Sequence, residues 1–156
     1  MSVREKQAWF ALVTTFLLWP YYFATLFAAV ASRDIDGWAL LTVFVWTLVI
    51  HIALLLGLAI VSARMAREDF DAPPDELERI IEARADKVCR RVLELGIAVV
   101  AIASFWVSEV ARGEFAADPA GATAILMANA LMVVGMAAGL IRETILIGHF
   151  RTTAAA

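Results

Sequence analysis

The 156-residue sequence is poor in the residues that cross-link proteins or hold metals. Its one cysteine, Cys89, excludes a disulfide within the chain, and no Cys/His group has the spacing of a zinc site. Only 19% of the residues are charged, whereas soluble domains average about 25%. The net charge of −3 offers no basic surplus for nucleic acid. These shortages exclude a disulfide scaffold and argue against a nucleic-acid-binding protein or an ordinary soluble enzyme.

Catalytic signatures are missing as well. The sequence has no glycine-rich phosphate loop, no G-x-S-x-G turn and no H-E-x-x-H motif. Its two histidines, His51 and His149, lie at different depths of separate apolar segments, roughly 20 Å apart, so they cannot ligate one haem. We therefore predict no cofactor and no metal, and we favour a non-enzymatic protein over a membrane enzyme.

Hydrophobic residues are abundant, at 62%, and they are concentrated in four long runs. A transmembrane helix needs about 20 mostly apolar residues, and each run has about that length. The predicted spans cover approximately residues 8–30, 38–61, 92–110 and 122–148. The sequence thus predicts one all-α membrane domain over residues 1–156, built as a bundle of four transmembrane helices.

Basic residues lie almost entirely on one side of these spans. Arg33 and Arg112 flank the external turns, whereas the other 11 of the 13 basic residues flank the opposite ends. Lys and Arg mark the cytoplasmic side, so we predict a multi-pass protein of the bacterial inner membrane with both termini inside. The 11 residues are Arg4, Lys6, Arg64, Arg67, Arg79, Arg84, Lys87, Arg90, Arg91, Arg142 and Arg151.

A charged segment between spans two and three, residues 63–95, is predicted to form a cytoplasmic helical hairpin. The third helix of the chain should run from Pro74 to Arg112, a length of about 58 Å. It should therefore project beyond a hydrocarbon core of about 30 Å. The mixture of acidic and basic residues argues against a purely basic lipid-binding patch. An apolar stripe at helical spacing needs a partner; it comprises Leu77, Ile81, Val88, Val92 and Leu95.

Polar residues inside the spans are the candidates for a functional site, because ionisable groups in a bilayer are costly. His51 is the ionisable residue nearest the middle of a span. It could titrate near neutral pH as part of a ligand or ion site, or stay neutral and hold helices together, the reading we favour. Six residues lie at similar depth and are predicted to cluster: Tyr21, Tyr22, Thr47, His51, Ser104 and Asn129.

The fourth span contains a G-x-x-x-G pattern at Gly135 and Gly139. Such a pattern lets two helices approach closely in a membrane. The partner could be the same helix of a second copy, which would make this a homodimer face, or another span of the same chain. The sequence leaves both interpretations open.

Two short segments carry a family resemblance. The chain opens with Arg4-Glu5-Lys6-Gln7-Ala8-Trp9, and Asp75-Glu76-Leu77-Glu78-Arg79-Ile80-Ile81 precedes the third span. Together with four spans, these segments resemble those of small, uncharacterised bacterial four-span inner-membrane proteins. The resemblance implies the four-span layout, and it implies no activity and no catalytic residue.

These observations lead to two functional hypotheses. The first is a non-enzymatic membrane protein, homodimeric, with residues 63–95 as the surface for a cytoplasmic protein partner. The alternative is a small oligomeric transporter or channel that uses the polar cluster around His51. Beyond the lipid bilayer, the expected partners are therefore a second copy of the chain and a cytoplasmic protein, with no nucleic acid.

Overall fold

The computed structural model describes residues 3–66 and 76–154, which form four helices and contain no strand. Each helix is long and apolar enough to cross a membrane. The structure therefore confirms the predicted all-α fold with four helices able to span a membrane. The helices are α1 (Val3–Ala31), α2 (Gly37–Ala66), α3 (Glu76–Glu114) and α4 (Pro119–Ala154).

The predicted loop between the second and third helices falls mainly on residues 67–75, which lie outside the described residues. This includes Pro74, the expected start of helix three. The described helix α3 has 39 residues. Its projection into the cytoplasm and the orientation of the chain stay predictions.

Short capped turns join α1 to α2 and α3 to α4 as antiparallel pairs. Before α2, the Asp36 carboxylate accepts hydrogen bonds from the backbone N–H groups of Trp38 and Ala39, at 2.9 and 3.1 Å. Before α4, the Asp118 carboxylate accepts one from the N–H of Gly121 at 2.9 Å. Each aspartate satisfies N–H groups that have no partner inside the helix, so each helix begins directly after its turn.

The helices pack side by side in a defined order. α1 lies between α2 and α4, and α3 packs along α4. Within the described ranges, α1 is the only helix against which α2 packs extensively. We call the end that holds the starts of α1 and α3 and the ends of α2 and α4 the basal end, and the other the apical end.

Small and branched apolar residues bring three helices together at the basal end. Ala8 of α1, Ile81 and Ala85 of α3, and Leu146 and Ile147 of α4 form one buried cluster. A second cluster, of Ala111, Phe115 and Ala122, closes the apical end, with Val30 packed against it. α1, α3 and α4 are thus joined at both ends of the bundle.

The predicted apolar stripe of helix three is divided by this packing. Ile81 is only 4% exposed because it packs inside the chain, so part of the stripe has its partner within the same molecule. Leu77, Val88 and Leu95 are exposed instead. The stripe as predicted is therefore covered by the neighbouring helices at Ile81 and left exposed at Leu77, Val88 and Leu95.

Candidate functional site

Two cavities lie along a cleft between α2 and α4, with α1 beneath both of them. The basal cavity has a volume of about 470 Å³ and is lined by residues such as Gln7, Leu56 and Glu143. The apical cavity has about 340 Å³ and is lined by residues such as Leu41 and Met132. Volumes of this size are typical of sites for small molecules, so the cleft is the candidate functional site.

Charged side chains of α1 and α3 meet in the basal cavity. Arg4 donates to the carboxylate of Glu82 at 2.6 Å and also lies 3.5 Å from that of Glu78. These side chains are only a fifth to a third exposed. Because such pairs are strongest where water is partly excluded, Arg4 ties the start of α1 to the start of α3.

A second arginine, Arg142, links α3 to α4. Arg142 donates through Nε to Asp86 at 2.6 Å and through Nη1 to Glu143 at 2.8 Å. Arg142 and Glu143 both line the basal cavity. Each charged side chain of the basal cavity is therefore paired with one of opposite sign, and Arg4 and Arg142 link neighbouring helices.

His51 is held between α2 and α1 by hydrogen bonds at both ring nitrogens. The indole N–H of Trp19 donates to His51 Nδ1 at 2.8 Å, and His51 Nε2 lies 3.2 Å from Thr14 Oγ1. The Thr14 hydroxyl donates to the Phe10 carbonyl at 2.7 Å. Since an indole N–H can only donate, Nδ1 must accept. This arrangement suits a neutral His51 with its proton on Nε2, donated to Thr14.

Tyr22 and Asn129 form a second polar contact, between α1 and α4. The Tyr22 hydroxyl donates to Asn129 Oδ1 at 2.6 Å, and Asn129 Nδ2 donates to the Ile125 carbonyl at 2.8 Å. Tyr22 is 4% exposed and lines the apical cavity together with Asn129. The Trp19 ring packs edge-on against Tyr22, with centroids 5.9 Å apart, so Trp19 connects the two polar contacts.

The other three predicted cluster residues are placed differently. Tyr21 is 68% exposed. Thr47 donates to the Val43 carbonyl at 2.8 Å, and Ser104 to the Ala101 carbonyl at 2.6 Å, both within their own helices. The structure thus brings together Tyr22 with Asn129, and joins His51 to them only through an aromatic ring.

Thr14 and Trp19 are site residues that the sequence reasoning missed. Trp19 lies too deep in the first predicted span to be an interfacial tryptophan. One signal could have found it, because a buried tryptophan usually needs an acceptor for its N–H group. His51 is the basic side chain at matching depth on the neighbouring helix.

The two glycines of the G-x-x-x-G pattern face open space. No side chain and no other described helix lies within 4 Å of the position that a Cβ would take on Gly135 or Gly139. Close packing of this motif within the described chain is therefore not seen. The glycines continue a stripe with steps of three or four residues that borders both cavities: Ala128, Met132, Gly135, Gly139, Arg142 and Leu146.

Among the residues that the structure describes, no group of three or more His, Cys, Asp or Glu side chains could hold a metal ion. Cys89 is a free, half-buried thiol on α3. The polar groups of the cleft are thus arranged to donate and accept hydrogen bonds between helices.

Comparison of the chain with known protein families, with curated proteins and with solved structures finds no match. The resemblance to small four-span bacterial inner-membrane proteins stays a prediction. Function is therefore inferred from the geometry of the cleft and from the outer faces of the helices.

Proposed function

We propose that the protein is a non-enzymatic, multi-pass protein of the bacterial inner membrane that works as a homodimer. The two copies would meet along the cleft between α2 and α4. The observation that supports this is the open space over Gly135 and Gly139. A G-x-x-x-G pattern stabilises a membrane protein when another helix lies close against it, and the described chain supplies none.

The apolar residues of the cleft add little to this inference by themselves. Leu41, Ile52 and Leu56 of α2 are exposed along one wall, but in a bilayer such side chains are solvated by lipid. Association of helices in a membrane depends on close packing and hydrogen bonds rather than on hydrophobicity. The small residues of the stripe on α4 are therefore the part of the cleft that favours a second protein chain.

Transport through a polar cluster around His51, the alternative hypothesis, has less support. Both ring nitrogens of His51 are engaged with Trp19 and Thr14, and Tyr22 is engaged with Asn129. These contacts suit side chains that fix the positions of α1, α2 and α4. A cytoplasmic protein partner for residues 63–95 stays a prediction, since residues 67–75 are not described.

The test is to fill the open space with bulky side chains. We expect Gly135→Leu/Gly139→Leu to weaken dimerisation in lipid vesicles by about ten-fold or more, equivalent to about 1.4 kcal/mol. Energy transfer between labelled copies at varied protein-to-lipid ratios measures this. The matched control is Gly57→Leu, which also enters open space but on α2, and it should dimerise like the wild-type protein.

Cross-linking locates the contact independently of its strength. With Cys89 replaced by serine, a cysteine at Ala128 should form a disulfide with its copy across the dimer. A cysteine at Ala98, which is exposed on α3, should not. A monomeric wild-type protein, or equal dimerisation of the Gly135/Gly139 variant and wild type, would refute the proposal.

A further inference from the structure

In the basal half of α3, a group of acidic residues meets the other helices and a group of basic residues shares another side of the helix. Glu78, Glu82 and Asp86 lie on the side of α3 that meets α1 and α4, where they pair with Arg4 and Arg142; the Asp86 side chain, at the edge of that side, is 59% exposed. The sequence shows only a mixed charged segment here. Folding pairs these three acidic residues with arginines of α1 and α4.

The basic residues of the same segment turn outward. Arg84, Lys87 and Arg91 are exposed, and no ion pair joins any of them to another residue in the described ranges. Ile80 and Val88 are exposed between them. Residues 80, 84, 87 and 91 follow one another in steps of three or four, and Val88 lies four residues after Arg84, so the five positions share one side of the helix. We call this set, residues 80, 84, 87, 88 and 91, the outer face of α3.

The outer face continues directly into an apolar surface towards the apical end. The next residues in the same steps are Leu95, Val99, Ile102 and Trp106, and each is more than half exposed. In a membrane-spanning helix, such a stripe faces lipid. The basic residues therefore lie along the same lipid-facing side of α3, below its apolar part.

Packing against α1 sets the depth of this face. Ala8, at the start of the apolar run of α1, packs against Ile81 and Ala85, while Val30 packs at the level of Ala111. Ala8 and Val30 are separated by 22 residues, or about 33 Å of helix, close to the roughly 30 Å of a hydrocarbon core. Ala85 thus lies near the boundary of the core, at the level of the lipid headgroups.

We infer that the outer face of α3 binds the phosphate groups of anionic phospholipids in the leaflet at the basal end. Arg84 and Lys87 lie at headgroup depth, and Arg91, one or two turns deeper, can extend its long side chain to the same level. Three cations against one nearby carboxylate, that of the exposed Glu94 three residues beyond Arg91, attract anionic headgroups, while Val88 contacts the upper acyl chains. This binding does not depend on whether the chain dimerises, since the outer face is on α3 and the cleft lies between α2 and α4.

An acidic protein is the other class of partner that a basic face could bind. The depth of the outer face favours lipid over an acidic protein, because the face adjoins exposed apolar residues that contact acyl chains. A protein bound there would have to displace the headgroups that surround α3 on this side. Lipid contacts need no such displacement.

The test measures lipid selectivity of the full chain in vesicles of equal parts phosphatidylglycerol and phosphatidylcholine. Native mass spectrometry gives the ratio of the two lipids that stay bound to the protein. We expect enrichment of phosphatidylglycerol on the wild-type protein. This enrichment should fall by about ten-fold or more in Arg84→Gln/Lys87→Gln/Arg91→Gln, with an unchanged helix content, because these side chains make no ion pair in the described chain.

A charge-matched variant tests whether the lipid selectivity comes from the outer face or from the net charge of the protein. Arg64→Gln/Arg79→Gln/Arg90→Gln removes the same charge from three other exposed positions and should keep the wild-type ratio. No enrichment on the wild-type protein, or an equal loss in both variants, would overturn the lipid site. Loss of binding to an acidic protein in the first variant, without any lipid selectivity, would assign the face to a protein instead.

Discussion

The α3–α4 pair and the α1–α2 pair are held together in different ways. Between α3 and α4 the backbones approach closely, since Gly96 lies directly under the Val134 side chain and Ala138 is fully buried. Between α1 and α2 the specific contact is polar, the hydrogen bonds of His51 with Trp19 and Thr14. The first interface should therefore respond to side-chain size, and the second to the loss of a single donor or acceptor.

The largest effect is expected from breaking the close approach of α3 and α4. A Cβ on Gly96 would overlap Val134, so Gly96→Leu should lower the free energy of unfolding by about 3 kcal/mol. Gly57→Leu, in open space on α2, should change it by less than about 0.5 kcal/mol. Thermal or denaturant unfolding in detergent measures both.

A compensating substitution tests whether the loss in Gly96→Leu comes from the overlap with Val134. Adding Val134→Ala to Gly96→Leu should recover part of the lost stability, because the smaller side chain removes the overlap. Equal unfolding of Gly96→Leu and wild type would show that the two helices are free to move apart.

A smaller effect is expected from removing the polar contact between α1 and α2. Trp19→Phe keeps the ring but removes the N–H group that donates to His51. It should cost about 1 kcal/mol, within the range for hydrogen bonds between membrane helices. A double-mutant cycle with His51→Phe isolates the coupling between the two side chains. A coupling near zero would mean that α2 is held to α1 by packing alone.

The smallest effect is expected at the apical end, where Arg33 and Glu114 form an ion pair at 2.5 Å between the two turns. Both side chains are about half exposed or more, so water screens their attraction. Arg33→Gln should cost at most about 0.5 kcal/mol, and the cost should disappear in high salt. A salt-independent loss above 1 kcal/mol would contradict this view of the apical end.

Hydrophobicity along the chain was enough to predict the four helices. The predicted span 8–30 lies within α1 (Val3–Ala31), and the span 122–148 lies within α4 (Pro119–Ala154). The reason is physical, because a membrane core of fixed thickness demands a minimum apolar length. A minimum length for each helix therefore follows from the sequence without knowledge of any tertiary contact, and the observed helices extend beyond it.

The site was harder to predict because depth does not determine rotation. Tyr21 and Tyr22 have nearly the same depth, yet Tyr22 binds Asn129 while Tyr21 is exposed. Adjacent residues point about 100° apart around a helix, and only the positions of neighbouring helices decide which one is buried. The same reason hid the arrangement of charges on α3, where Arg84, Lys87 and Arg91 share one exposed side although Asp86 lies between them in the sequence.

The hydrogen bond between Tyr22 and Asn129 joins residues that are 107 positions apart. Ribosomes add about 5–20 residues per second, so roughly 5 to 20 seconds pass between the synthesis of the two residues. During that interval the first two helices exist without α4, and the Tyr22 hydroxyl has no Asn129 to bind. The first hairpin therefore completes its packing only after α4 has been synthesised, so the final packing of α1 depends on α4.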